Sequence, residues 1–310
     1  MVKTLFNNFD FMALRKPAML VSASLLLVAV VSLVTLKLNV GIDFTGGSII
    51  EVGYQQAVEL EPIRQALEAD GFGDAIVQHF GSASEVLIRL VSDADKDKAE
   101  LSSQIIGLLE AISETDIDVR RVDFVGPQVG EELTEDGGLA VLYALIAILI
   151  YVAFRFEYRF SLGAVAALIH DVVITLGVFS LLQLDFDLSV LAAILAVIGY
   201  SLNDTIVDFD RVRENFRKIR KKTSIEVVNT SINQTISRTL MTSFTTLLVL
   251  FSLFFLGGEV IHAFATALII GVLVGTYSSI YVATTTALAL GISRSDLLLP
   301  EKEGEEPARP

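Results

Sequence analysis

Two polar residues, Asn203 and Asp204, interrupt a long apolar segment beyond the middle of the chain. Spacings of three and four residues would place Ser201, Asp204 and Asp208 on one face of a helix, with Asn203 at its flank. An ionisable group inside hydrocarbon costs several kcal/mol and usually faces a bundle interior or a hydrated path. Desolvation favours the protonated form of a carboxylate, whereas a nearby cation favours the ionised form. This polar stripe therefore predicts an ion relay that includes Ser201, Asn203 and Asp204.

A matching polar stripe is predicted on the following helix. It consists of Thr235, Arg238, Thr242 and Thr245. Asp204 lies six residues before Asp210, about 9 Å along a helix, and Arg238 opens its own helix from the same side of the membrane. A contact between Asp204 and Arg238 is therefore compatible with their depths, and Arg238 is added to the predicted relay. Asp208 and Asp210 are interpreted as markers of the helix exit. Two alternatives stay open: Arg238 could extend to the lipid headgroups, and Asp204 could form a purely structural interhelical pair.

A second polar pair, His170–Asp171, falls near the middle of the preceding apolar segment. The pair is also predicted to belong to the ion relay, although a hydrogen bond between packed helices would explain the same residues. Small residues nearby indicate close packing of helices. They are Gly199, which follows Ala192 and Ala196 on one helical face, and the GxxxG motif of Gly271 and Gly275.

The segment GIDFTGG contains the glycines of a phosphate-binding loop but lacks its lysine and its following helix. Glycines permit a tight turn, so Gly41, Asp43, Gly46 and Gly47 are predicted to form the motif at which the chain enters an external domain. No residue pattern indicates a catalytic nucleophile with its base, and the chain is not predicted to be an enzyme. The absence of Cys and the three scattered His argue against thiol chemistry, a metal site and a cofactor.

Composition and hydrophobic pattern predict the elements that position these residues. Hydrophobic residues make up 53% of the chain and the mean hydropathy is +0.62, in long uninterrupted blocks typical of a polytopic α-helical membrane protein. Six blocks are long enough to cross the hydrocarbon core of a membrane and contact its lipid: Ala18–Leu36, Gly137–Phe154, Ser161–Leu182, Leu188–Val207, Thr239–Leu256 and Phe264–Leu290. Lys and Arg fall in alternate loops, which assigns both termini and the basic segment Arg211–Lys222 to the cytoplasm. That segment is interpreted as a positive-inside loop rather than a nucleic-acid-binding surface.

The region between the first two spans, Asn39–Asp136, is predicted to lie outside the membrane. It contains 21 acidic and six basic residues, so it carries all of the excess negative charge of a chain with a formal net charge of −14. Its segments alternate in the order βαββαβ, which predicts a ferredoxin-like α+β domain. The predicted elements are Ser48–Tyr54, Glu61–Asp70, the strands AIVQHFG and EVLIRLV, Lys98–Ile112 and the strand DIDVRRVDFV. A domain this small is interpreted as a contact surface rather than a ligand-binding cavity.

These predictions divide the chain into five parts. They are a cytoplasmic N-terminus (1–17), a first transmembrane helix (18–36), the external domain (37–136), a five-helix transmembrane bundle (137–292) with a cytoplasmic basic loop (208–235), and a disordered cytoplasmic tail (293–310).

Five motifs in order along the chain resemble those of the SecF family, the smaller half of the bacterial SecDF translocation accessory complex. They are GIDFTGG after the first span, VGPQVGEEL before the second, HD in the third, GYSLNDTIVDFDRVREN in the fourth and NQTISRTLMTSFTT at the fifth. The resemblance covers about residues 5–292 and extends to the resistance-nodulation-division superfamily of ion-driven machines. It implies that Asp204 corresponds to the family's essential membrane aspartate and Arg238 to its partner arginine.

The resemblance also implies a function and partners. The chain would form a heterodimer with a SecD-like subunit beside the SecYEG translocon, with YajC as a further partner and a translocating polypeptide as cargo. A gradient of protons or sodium ions would drive late steps of translocation across the bacterial inner membrane, and the sequence does not choose between the two ions. Two alternatives remain. A non-conducting structural subunit that stabilises a SecD-like partner would tolerate loss of Asp204, and half of a small-molecule exporter would need larger external domains.

Overall fold

Helices and a small sheet make up the computed structural model, which describes residues 9–90, 98–113 and 116–293. In chain order the elements are a short 3-10 turn (Phe11–Leu14), α1 (Arg15–Thr35), β1 (Asn39–Val40), α2 (Ile42–Thr45), β2 (Gly47–Gly53), α3 (Leu60–Ala69), β3 (Ile76–Phe80), β4 (Ser82–Leu90), α4 (Lys98–Ile112), β5 (Asp118–Val125), α5 (Pro127–Arg155), α6 (Tyr158–Leu182), β6 (Asp185–Phe186), α7 (Leu188–Lys218), α8 (Ser224–Leu256), α9 (Glu259–Ser278), a π-helical segment (Ser279–Ala283) and α10 (Thr284–Ala289).

Six spans in the described ranges are long and apolar enough to cross a membrane. They are α1 with the preceding 3-10 turn, α5, α6, α7, α8, and α9 continued through the π-helical segment into α10. Each coincides with one of the six predicted blocks. The predicted tail 293–310 lies outside the described residues apart from Ser293, as do residues 1–8 of the predicted N-terminal part.

The helices α7 and α8 are longer than the sequence predicts. The predicted basic loop 208–235 is wrong over most of its length, because only residues 219–223 separate the two helices. Glu214 pairs with Arg211 at spacing i,i+3 and with Lys218 at spacing i,i+4, and such pairs stabilise a helix in water. Thr223 then begins α8 with a capping box that it forms with Glu226. Charged residues at these spacings continue a helix beyond the apolar segment, so charge alone does not mark a loop.

The sheet domain consists of β2, α3, β3, β4, α4 and β5, in the predicted order βαββαβ. Its four strands are antiparallel in the order β3-β4-β2-β5. Alternate strand residues point to opposite faces, and the core side carries Ile50, Val52, Val86 and Ile88. The residues of α3 and α4 that pack on this side are Ile63, Leu67, Ile105 and Leu109. The opposite face of the sheet is free of these two helices.

Arg89 on that opposite face joins the sheet domain to the membrane helices. Its side chain is 10% exposed, and it donates hydrogen bonds to Asn39 Oδ1 at 3.2 Å, to the Val40 carbonyl at 3.1 Å and to Asp185 Oδ1 at 3.2 Å. Gln78 donates to the other oxygen of Asp185 at 3.1 Å. Asp185 lies in β6, directly before α7, and β6 pairs in parallel with β1. This junction therefore ties β3 and β4 to the first residues of α7.

A cavity of about 530 Å³ lies beside this junction, between the open face of the sheet and the first residues of α7 and α9. Its lining includes Leu87, Arg89, Asp185, Asp187 and His262. The Arg89–Asp185 junction thus holds the sheet domain to the helices on one side of the cavity. Elsewhere the cavity lies between the sheet and the helices.

Replacing Arg89 with methionine should loosen the sheet domain, because it leaves Asp185 with an unpaired charge. The expected loss of stability is about 2–3 kcal/mol, below the range for fully buried pairs because the Asp185 side chain is 32% exposed. Thermal unfolding of the purified protein in detergent measures the effect. The control is Arg64→Met, which breaks an ion pair at a side chain that is 49% exposed and should cost less than about 1 kcal/mol. Equal stability of the two variants would contradict the role given to Arg89.

Candidate functional site

A buried polar cluster surrounds Asp171 near the middle of α6. Asp171 is 0% exposed and His170 is 2% exposed. Asp171 Oδ1 lies 3.0 Å from His170 Nδ1, and Asp171 Oδ2 accepts hydrogen bonds from Ser201 of α7 at 2.5 Å and from Ser278 of α9 at 2.7 Å. The structure therefore brings His170, Asp171 and Ser201 together, and one carboxylate joins three helices.

Asp204 and Asp208 lie further along α7, and both side chains are buried. The Oδ2 atom of each has no hydrogen-bond partner within the described part of the chain, and the same holds for the hydroxyls of Thr205 and Thr239. Burial of a polar oxygen without a partner is costly. Binding of a proton or a cation to either carboxylate would therefore lower the free energy of the buried group. Asp208 and Asp210, interpreted from the sequence as markers of the helix exit, differ in the structure: Asp208 is buried ten residues before the end of α7, whereas Asp210 is exposed.

Arg238 of α8 is exposed on the surface of the chain. It lines a groove of about 300 Å³ whose other charged residues are Arg155, Asp210 and Arg211. Asp210 lies 3.7 Å from Arg155. Among the described residues, no ion pair within 4.0 Å joins Asp204 to Arg238. The two predicted partners are thus not in direct contact in this structure, and their pairing stays a prediction.

Asn203 and Gly199 lie on an open face of α7. Both are exposed, as are Ala192 and Ala196 on the same face. A Cβ atom built on Gly199 would meet nothing within 4 Å, so this glycine has no packing role within the described chain. Small side chains of this kind allow another helix to approach closely.

The glycines of α9, by contrast, pack tightly against α7. A Cβ atom on Gly271 would overlap the γ-methyl groups of Val197. A Cβ atom on Gly275 would lie 3.1 Å from Ser201 Cβ and 3.6 Å from Asp171 Oδ2. The two glycines therefore allow α9 to approach α7 closely, beside Ser201 and the Asp171 carboxylate.

The glycine motif forms the turn between the first span and the sheet domain. Gly46 and Gly47 have φ values of +69° and +131°, which glycine adopts without steric strain. A Cβ atom on Gly46 would also lie 2.8 Å from Pro127, at the start of α5. The Gly41 amide donates to the Phe186 carbonyl at 2.8 Å and extends the pairing of β1 with β6.

Asp43 within the motif reaches the first turn of α7. Its Oδ2 atom accepts a hydrogen bond from the Leu188 amide at 2.9 Å, and Asp187 Oδ1 accepts one from the Val190 amide at 2.9 Å. Two carboxylates thus satisfy amides that have no partner within the helix and favour its positive end. The motif connects the sheet domain to the helix that carries the candidate relay residues.

Several buried or partly buried polar residues are not identified by the sequence reasoning. Ser278 binds Asp171, Tyr277 forms a 3.0 Å hydrogen bond with Ser22 of α1, and Asn215 of α7 donates to Ser231 of α8 at 2.9 Å. Isolated hydroxyl and amide groups are ordinary in apolar helices. These residues are recognised by their contacts with other helices, and the spacing of residues along the sequence does not show which helices are neighbours.

The sequence of the helical region decides the family. Residues 104–293 match the family described as protein export membrane protein SecD/SecF, C-terminal, and residues 31–58 match the SecD/SecF GG motif. The chain belongs to the SecD/SecF family. The first match includes Asp171, Asp204 and Arg238, and the second includes the glycine motif. With its six apolar spans, this SecD/SecF family member is a multi-pass membrane protein.

Relatives in the SecD/SecF family cover nearly the whole chain. It is 55% identical to protein translocase subunit SecF of Vibrio alginolyticus over 97% of this chain and 96% of the relative, and 46% identical to that of Pseudomonas aeruginosa over 98% of both. The crystal structure of SecDF, a translocon-associated membrane protein from Thermus thermophilus, matches with a TM-score of 0.85 at 38% identity. SecDF in a super-membrane-facing form matches with a TM-score of 0.67 at 41% identity. In both structures the match covers 94% of this chain but 40% of the SecDF chain.

In this SecD/SecF family member, Gly271→Ala should destabilise the helix bundle. Even Val197 Cβ would lie only 3.0 Å from the new atom, so rotation of the valine does not relieve the overlap. We expect a loss of about 1–3 kcal/mol, as for other overpacked cores, measured by thermal unfolding in detergent. The matched variant Gly199→Ala adds the same methyl group at an open position and should leave the stability of the isolated chain unchanged or slightly raised. A loss of stability in both variants would contradict this packing.

Proposed function

We propose that the chain is the SecF subunit of a SecDF complex and uses a transmembrane ion gradient to assist protein translocation. The observation that carries ion coupling is the buried stripe of α7, where Asp204 and Asp208 keep carboxylate oxygens without hydrogen-bond partners in the described structure. The names of the relatives support the translocation role. The proposal includes neither enzymatic activity nor a cofactor.

We assign both termini to the cytoplasm and the sheet domain to the external side of the bacterial inner membrane. Arg155 and Arg159 at the adjoining ends of α5 and α6, and the basic residues between α7 and α8, support this orientation, since such residues are enriched on the cytoplasmic side. The strand order β3-β4-β2-β5, with two helices on one face, supports a ferredoxin-like interpretation of the external domain.

A SecD-like subunit is the proposed partner, and the open face of α7 is its proposed docking surface. Gly199 and Asn203 lie on this face, and nearby on α8 the groove at Arg238 contains three arginines and one aspartate. Its positive charge favours an acidic group of the partner. The SecYEG translocon, YajC and the translocating polypeptide are further proposed partners, supported by the family resemblance alone.

Ion coupling is proposed to work through separation and approach of Asp204 and Arg238. When the arginine is distant, desolvation favours proton uptake by a buried carboxylate, and approach of the arginine favours release. In this structure Asp204 and Arg238 form no direct ion pair within 4.0 Å. An ion moves an equilibrium only by its differential affinity for the two states, so the cycle requires that the two arrangements of α7 and α8 differ in their affinity for the ion.

Helix α7 is also the proposed mechanical connection to the external domain. Its first residues are bound by Asp43 of the glycine motif, and Asp185 directly before it is bound by Arg89 of the sheet. A shift of α7 along or across the membrane would therefore move the sheet domain as well.

Labelling of single cysteines tests the proposed orientation, because the chain has no native cysteine. Asp74→Cys in the sheet domain and Lys221→Cys between α7 and α8 are both at exposed positions. A membrane-impermeant maleimide added to intact spheroplasts should label the first and not the second, and membrane disruption should expose both. Labelling of Lys221→Cys in intact spheroplasts would overturn the orientation.

Asp204→Asn tests ion coupling in the complex with the SecD-like partner. The amide keeps the shape of the side chain but does not titrate, so ion flux and gradient-dependent translocation in proteoliposomes should fall to background while assembly is kept. The control is Asp210→Asn, whose side chain is 60% exposed beside Arg155 and which should retain nearly full activity. Full flux in the Asp204→Asn complex would show that ions do not pass through Asp204, as expected if this chain is the non-conducting structural subunit and the SecD-like partner conducts.

A further inference from the structure

The Asp171 cluster contains an ionisable group that the proposed cycle of Asp204 and Arg238 does not use. His170 is 2% exposed, and its Nε2 atom has no hydrogen-bond partner among the residues that the structure describes. Its other ring nitrogen lies 3.0 Å from Asp171 Oδ1. In the tautomer whose Nδ1–H group donates to Asp171, Nε2 is an acceptor without a partner and has an open position for a proton.

The charge of the cluster favours proton binding at this position. With a neutral imidazole, an ionised Asp171 would leave one uncompensated negative charge among apolar helices, which is costly. Proton uptake forms an N–H bond at Nε2, breaks no bond, and converts the cluster into an imidazolium–carboxylate pair without net charge. Of the titratable groups on the elements packed around α6, Tyr277 of α9 stacks against the His170 ring, with centroids 6.2 Å apart, and Asp204 follows Ser201 by three residues on α7.

The other oxygen of Asp171 is hydrogen-bonded to two further helices, α7 and α9. Ser201 and Ser278 both donate to Oδ2, at 2.5 and 2.7 Å, distances typical of hydroxyl groups bonded to a carboxylate. Ser278 directly precedes the π-helical segment Ser279–Ala283, and such segments are frequent at functional sites. Because these donors stabilise the ionised carboxylate, a shift of α7 or of the π-helical segment would change how strongly the cluster holds a proton.

We propose that His170 and Asp171 form a second proton-binding site, whose occupancy depends on the position of α7 through Ser201 and on the π-helical segment through Ser278. This inference rests on the proposed ion-coupled function and extends it, because α7 then carries Asp204 and also contacts the second site. It further implies that the coupling ion at this cluster is a proton rather than sodium, since imidazole nitrogen is the acceptor.

The test follows the protonation of His170 directly in the complex with the SecD-like partner. With ¹⁵N-labelled histidine in this chain alone, solid-state NMR of the proteoliposomes observes three residues, His79, His170 and His262, and single His→Gln variants assign them. We expect the His170 signal to change from neutral imidazole to imidazolium as the pH falls. Asp171→Asn should abolish the imidazolium form. A His170 signal that keeps one form across the pH range of activity would overturn the proposal.

Ion flux in the same proteoliposomes provides the second readout. His170→Gln should reduce proton-driven flux strongly, whereas the matched control His262→Gln should retain it. Ser278→Ala keeps every charge and removes one hydrogen bond to the carboxylate, so it should change the pH profile of flux. This variant keeps the test decisive if Asp171→Asn does not fold.

The outcomes separate the two proposals. If Asp204→Asn abolishes flux while His170→Gln and Ser278→Ala retain the native flux and pH profile, the second site is wrong and the ion-coupled function stands. If Asp204→Asn retains full flux, the proposed cycle of Asp204 and Arg238 fails, and the result for His170→Gln then tests the second site independently. Flux that follows a sodium gradient and not a proton gradient would also overturn the second site.

Discussion

Hydrogen bonds between polar side chains help to determine how the helices of this protein are arranged, because the hydrocarbon core of a membrane offers no water as a partner. A polar side chain in hydrocarbon bonds to a carbonyl of its own helix, as Thr175 does, or finds a partner on another helix, or remains unsatisfied at a cost. Ser32 of α1 therefore donates to Ser180 of α6, and Ser243 of α8 pairs with Thr276 of α9. The carboxylate of Asp171 does the same for α6, α7 and α9 at once. Apolar packing alone would permit many rotations of these helices about their axes. Each such hydrogen-bonded pair favours the one rotation in which its two side chains meet.

Helix α7 connects the sheet domain to the buried polar residues of the helix bundle. Its first turn is capped by Asp43 and Asp187, its middle holds Ser201 against Asp171, and its second half buries the carboxylates of Asp204 and Asp208. Its charged end is stabilised by pairs on Glu214. A single rigid element therefore joins the sheet domain, the polar interior and the basic surface, and the proposed coupling needs no longer chain of contacts.

Much of the fold follows from the sequence, because apolar blocks and strand alternation are local signals. The six spans and the order βαββαβ are examples. The sequence predicts a basic loop where α7 in fact continues through Lys218. The reason is that the many charged residues of this segment indicate a loop unless the ion pairs of Glu214 at helical spacing are considered. For the site, the position of Asp204 within an apolar block predicted its burial. The open position of Gly199 and the contact of Ser278 with Asp171 could not be predicted, because both depend on which helices are neighbours and on which faces stay uncovered.

The cavity beneath the sheet changes what motion of that domain would involve. A densely packed junction must rebuild its contacts at every new angle, because protein interiors are as dense as organic crystals. Here the open face of the sheet lies over a space of about 530 Å³, with Arg89 and Asp185 holding one side. Tilting about that side would mainly change the width of this solvent-open space rather than exchange side-chain contacts. The motion would then move water into or out of the space instead of rebuilding a densely packed interface.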